Sequence, residues 1–169
     1  MKLREIQFCD YGLLTESEQE DYTAALKYAK PYEIDIKQWK YGVIKECQMF
    51  LERGVSEEGF DFIVKQVMPY YLYKPYHLVM LTFLGICKSI KELTDSENNA
   101  LISKMSGKEQ AALAEVNFEE LSRYPEIINL AETMGISFDE AYNVEWATAF
   151  IILRYKNKQY QFQQIISKA

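Results

Sequence analysis

Catalysis by side chains needs nucleophiles, acids and bases in working company, and few residues of this chain keep it. His77 is the single histidine, so any Ser/His/Asp triad, Cys/His pair or multi-histidine metal site would have to use it. Its neighbours are Pro75, Tyr76, Leu78 and Val79. At the start of an apolar helix such a histidine reads as a capping or hydrogen-bonded core residue rather than a base. Cys9, Cys47 and Cys87 are odd in number, lie about forty residues apart and form no CxxC or Cys/His spacing. Neither a disulfide framework nor a zinc site is indicated, a reducing compartment fits, and the three thiols are expected to be inert core residues.

Carboxylates are plentiful. Glu16, Glu20, Glu57, Glu58, Glu119 and Glu120 include pairs that helical spacing would place on one face, as an acid/base pair or a Mg²⁺ site requires. Most of them fall in the first turn of an expected helix, where the positive end of the macrodipole accounts for them. The seven glycines are scattered singly, and none opens the strand-to-helix turn of a phosphate loop. No catalytic, cofactor-binding or metal-ligating residue is assigned, no cofactor is expected, and the chain is read as non-enzymatic.

The elements that would position any site are helical. At 169 residues, with 49% apolar and 26% charged residues, the chain is long enough to bury one core unaided. Thr15 or Ser17 can cap a first helix over 16–30, with acids in its first turn and Pro31 after it. Trp39, Val43, Ile44, Cys47, Phe50 and Leu51 mark one face of a second, which stops at Gly54. Ser56 starts a third, with Phe60, Ile63, Val64 and Val67 inward and Pro69 closing it. MPYYLYKPYH then reads as an extended connector, because a proline disfavours helix in the residue before it. A fourth helix follows over about 76–94, and the Ser, Asn and Asp-rich stretch 94–108 is expected to be a mobile loop between two helical halves.

Beyond it Ala111, Leu113, Val116, Phe118 and Leu121 mark a fifth helix, packed beside a sixth that runs to a C-terminal Gly135. Ser137 and Glu140 form a capping box for a short helix before a long C-terminal one begins near Trp146. The fold expected is all-α, a single-domain bundle of about six to seven helices spanning residues 1–169. The longest apolar run, Leu78 to Cys87, is about half of the roughly 20 residues a membrane span needs. The opening MKLREIQFCDYG is unlike a secretory leader, so neither membrane nor export is expected.

Residues 130–137 resemble the turn of a helix-turn-helix, but the would-be recognition helix carries Asp139, Glu140 and Glu145 and no base to meet phosphate. Charge is more telling. Residues 1–145 hold 15 Lys and Arg against 25 acids, net −10, whereas 146–169 hold four bases and no acid. In that tail Arg154, Lys156 and Lys158 alternate with Tyr155, Tyr160 and Phe162, a mixture suited to an acidic protein surface or to nucleic acid. Tyrosine favours protein interfaces, which adds Tyr70, Tyr71, Tyr73 and Tyr76 as partner-binding candidates beside Arg154, Tyr155, Lys156, Lys158, Tyr160 and Phe162.

The segment LAETMGISFDEAYNVEWATAFIILRYKNK, with Gly135, Glu140, Ala141 and Trp146 in the pattern of a glycine turn, an EA pair and a tryptophan that opens the last helix, resembles the closing segment of bacteriophage tail-assembly chaperones and related small helical virion-assembly proteins. It covers about a fifth of the chain. The resemblance implies a non-enzymatic assembly factor or structural component of a phage tail, neck or baseplate, bound to phage structural proteins in the host cytoplasm or the virion. Homo-oligomers belong to the same expectation. The alternative is a nucleic-acid-associated regulator that uses the basic, aromatic tail.

Overall fold

The computed structural model describes residues 6–101 and 124–167. The fold is all-α. The described residues hold α1 (Glu16–Tyr28), α2 (Tyr41–Glu52), α3 (Glu57–Lys65), α4 (Tyr76–Leu101), α5 (Pro125–Met134), α6 (Phe138–Tyr142) and α7 (Trp146–Ile166), with 3-10 turns at Phe8–Leu13 and Tyr71–Tyr73. Among the described residues the extended pairing amounts to two isolated bridges, Gln7 with Pro75 and Lys40 with Glu145. No helix among them is long and apolar enough to cross a membrane.

Local chemistry sets most helix ends. Thr15 accepts from the Glu18 N–H while the Glu18 carboxylate reaches back to Thr15, and Ser137 and Glu140 repeat this capping box at α6. Ser56 accepts from the Gly59 N–H at the start of α3. Gly54 and Gly135 follow α2 and α5 with φ of 86° and 66°, left-handed values that glycine adopts without a Cβ penalty. The connector expected to be extended instead makes the 3-10 turn Tyr71–Tyr73, the proline constraint acting only on the residues just before Pro69 and Pro75.

The main departure is α4. It continues through residues 94–101, where a loop was expected, because its buried stripe of Val79, Phe83, Ile86, Ile90 and Leu93 goes on to a buried Glu97. Asp95, Ser96, Asn98 and Asn99 are its solvated face rather than loop residues. The rest of that loop, the expected fifth helix and its packing beside the sixth, and Glu119 and Glu120 lie outside the described residues.

By internal contacts the chain forms two compact units, residues 1–36 with 50–91 and residues 37–49 with 92–169. The first is built around aromatic rings. Phe8 stacks on Phe60 and Tyr76, with centroids 5.3 and 5.7 Å away, and Tyr11 stacks on Tyr76 at 3.9 Å. Backbone bonds from Phe8 N–H to the Lys74 carbonyl and from Tyr76 N–H to the Ile6 carbonyl hold the N-terminal segment on the connector. The segment before α2 lies along α4: Tyr32 N–H donates to the Leu81 carbonyl and the Ser89 hydroxyl to the Ile34 carbonyl at 2.6 Å. Gly85 lies one turn from each of these α4 residues and leaves room for the Tyr32 carbonyl, which an added Cβ would overlap.

Candidate functional site

In the second unit a charged side chain from α4 meets side chains from α2 and α7. Glu97 is buried, and both of its oxygens are used. Oε2 accepts from Lys45 Nζ and from Gln48 Nε2, each at 2.8 Å, and Oε1 accepts from Trp146 Nε1 at 2.8 Å. Gln48 also donates to the Thr94 hydroxyl at 3.0 Å, and Lys45 lies 5.2 Å from the centroid of the Tyr41 ring. Burial, together with the Glu97 and Glu126 charges, pushes the Tyr41 hydroxyl above its ordinary value, so the neutral phenol is strongly favoured. Three donors from two other helices hold the carboxylate in place. The cluster therefore works as a clasp that ties α2, α4 and α7 together. Residues 37–41 close the same region through bonds from Tyr41 N–H to the Val144 carbonyl and from Trp146 N–H to the Trp39 carbonyl.

The isolated candidates for chemistry stay isolated. His77 is exposed in the first turn of α4, not a core or capping residue, because helical periodicity turns the position between Tyr76 and Leu78 outward. Cys47 is buried as expected, and burial pushes the half-buried Cys87 thiol up to about 11, but Cys9 sits exposed in the first 3-10 turn, where its thiol meets the Gln7 and Asp10 side chains. No group of three or more His, Cys, Asp and Glu among the described residues is arranged to hold a metal ion.

The tyrosines of the connector divide by role. Tyr70 and Tyr73 are 77% and 69% exposed, whereas Tyr71 and Tyr76 are 6% and 7% exposed and belong to the core of the first unit. The 3-10 turn points Tyr71 inward, where its hydroxyl donates to Asp61 at 3.0 Å. Burial and the Asp61 carboxylate raise that hydroxyl to about 12. Tyr71 is thus structural, Tyr76 is buried but borders the groove described below, and Tyr70 and Tyr73 are exposed surface.

On α7 the outward stripe is longer than the candidates suggested. Ile151, Tyr155, Phe162, Ile165 and Ile166 are between 59% and 69% exposed, and at 100° per residue they share one side of the helix with Lys158 between Tyr155 and Phe162. Arg154 flanks the stripe and is exposed. Tyr160 lies about 140° round the helix from Tyr155 and so belongs to another face. Lys156 is not in the stripe either: its ammonium reaches the Asn129 amide oxygen and the Thr133 hydroxyl on α5, each at 2.7 Å. The helical spacing of Ile151, Ile165 and Ile166 with Tyr155 and Phe162 is the sequence signal for this stripe.

A groove in the first unit was not foreseen. The first 3-10 turn, α1 and α4 line an open groove of about 840 Å³, with Tyr11, Tyr76, Met80 and Leu84 among its apolar residues and Glu16, Glu20 and Lys27 its charged ones. The Tyr11 hydroxyl donates to the Gln19 carbonyl at 3.2 Å, which fixes the stacked tyrosine pair as one wall. Compared with family models, curated proteins and solved structures, the chain finds no match in any of the three.

Proposed function

We propose that this protein is a non-enzymatic binding component of a macromolecular assembly, and that α7 is the element presented to its partner. One observation carries the reading. Five large apolar side chains line one outward face of a basic helix, a pattern that ordinary surfaces avoid and that helix-in-groove recognition uses. The bases Arg154 and Lys158 beside that stripe favour an acidic partner and orient its approach. Together with the resemblance of residues 130–158 to phage tail-assembly chaperones, this supports assembly of a phage tail, neck or baseplate as the setting.

The test is affinity capture from infected-cell lysate at low and high salt, with the wild-type chain beside a Tyr155→Glu/Phe162→Glu variant. The expected result is a stoichiometric structural protein retained by the wild type at high salt and lost by the variant. Recovery of nucleic acid that disappears at high salt would overturn the reading in favour of a nucleic-acid-binding tail, since phosphate contacts weaken steeply as salt rises. Equal capture by wild type and variant would remove α7 as the contact.

A further inference from the structure

We propose that the end of α7 docks into the groove of a second copy of this chain, so that copies associate tail into groove. The inference deepens the protein-binding reading and rests on it. The groove and the stripe fit each other in chemistry, charge and length. The groove offers an aromatic and aliphatic floor of Tyr11, Tyr76, Met80 and Leu84. The stripe offers Tyr155, Phe162, Ile165 and Ile166, all exposed.

Charge selects the second copy's groove over the second copy's α7. Residues 146–169 carry four bases and no acid, and Lys158 lies in the middle of the stripe, so two α7 helices laid face to face would set like charges together. The groove belongs to the part of the chain with net charge −10. Its lining includes Glu16 and Glu20 against the single base Lys27. Arg154 and Lys158 supply the opposite sign. The wall of α1 from Glu16 to Lys27 and the stretch of α7 from Tyr155 to Ile166 each span eleven residue steps, about 17 Å at the helical rise.

A contact of this kind joins two different surfaces. Two copies can exchange it reciprocally as a two-fold dimer, or it can propagate to a ring or an open chain.

The experiment is sedimentation velocity on the full chain over a range of concentrations, with two variants whose folding is checked by circular dichroism. Phe162→Glu breaks the tail, and Ala24→Trp fills the groove from an exposed lining position. Wild type is expected to associate, to dimer or beyond, as concentration rises, and each variant alone to stay monomeric. An equimolar mixture of the two should give a 1:1 heterodimer and nothing larger, because one intact tail and one intact groove remain. Glu20→Lys should weaken wild-type association, and Lys158→Glu in the same chain should restore it. A wild type that stays monomeric, a mixture that stays monomeric, or a Phe162→Glu variant that assembles normally would each overturn the proposal. Should the mixture fail while Tyr155→Glu/Phe162→Glu still abolishes partner capture, the self-docking inference falls and the protein-binding reading stands.

Discussion

Replacing Glu97 by alanine should destabilise the protein by about 4 kcal/mol, within the range of about 3–5 kcal/mol for breaking a buried ion pair by removing one member. The side chains of Lys45 and Glu97 are 10% and 7% exposed, so solvent screens the pair little. Truncation leaves the Lys45 ammonium with Glu126 at 3.9 Å, a carboxylate that is half exposed and beyond hydrogen-bonding distance. It also deprives Gln48 and Trp146 of a charged acceptor, and each orphaned buried donor costs about 1–3 kcal/mol. These losses share one carboxylate and do not add, and the lysine stem can swing toward water, which keeps the total near the middle of the range. That is a large part of the about 5–15 kcal/mol by which a domain is stable. Urea unfolding followed by tryptophan fluorescence measures it, with Trp146 reporting from within the clasp. A Lys45→Met/Glu97→Met double variant should lose less than Glu97→Ala alone, because it leaves no unpaired charge inside. If Glu97→Ala costs less than about 1 kcal/mol, or if the double variant loses the sum of its single substitutions, the clasp argument is refuted.

Gly85→Ala should cost about 1–3 kcal/mol by urea unfolding, since the new methyl meets a backbone carbonyl, that of Tyr32, which cannot swing aside as a side chain would. At pH 8 one thiol of three should react quickly with a disulfide reagent: Cys9 is exposed, while Cys47 is buried and burial holds Cys87 up at about 11. Equal rates at all three would refute this ordering. The backbone N–H and hydroxyl of Ser137 hold the Glu140 carboxyl below its ordinary 4.5. A group depressed on folding contributes stability that is present above its unfolded value and lost as pH falls through its folded one. Thermal midpoints should therefore fall below about pH 4.5, and Glu140→Gln should flatten part of that acid limb.

The features legible in the residue order are mostly local. Thr15, Ser56 and Ser137 cap the helices they precede, and Gly54 and Gly135 end the helices they follow, because a cap is a bond between residues three or four apart. The all-α class and the long last helix follow from helical spacing in the same way. Tertiary structure alone decided which polar and aromatic residues turn inward. Tyr70 and Tyr71 are adjacent and of one type, yet one faces water and the other is buried against Asp61 and Phe8. Glu97 read as part of a loop because Ser, Asn and Asp residues surround it, and its partners Lys45, Gln48 and Trp146 lie about fifty residues away on either side. The groove is likewise built from three stretches that meet only in the folded chain. Periodicity records which face of an element is apolar; it carries no record of which distant donor will neutralise a buried acid, or of which faces are left uncovered once the others have packed.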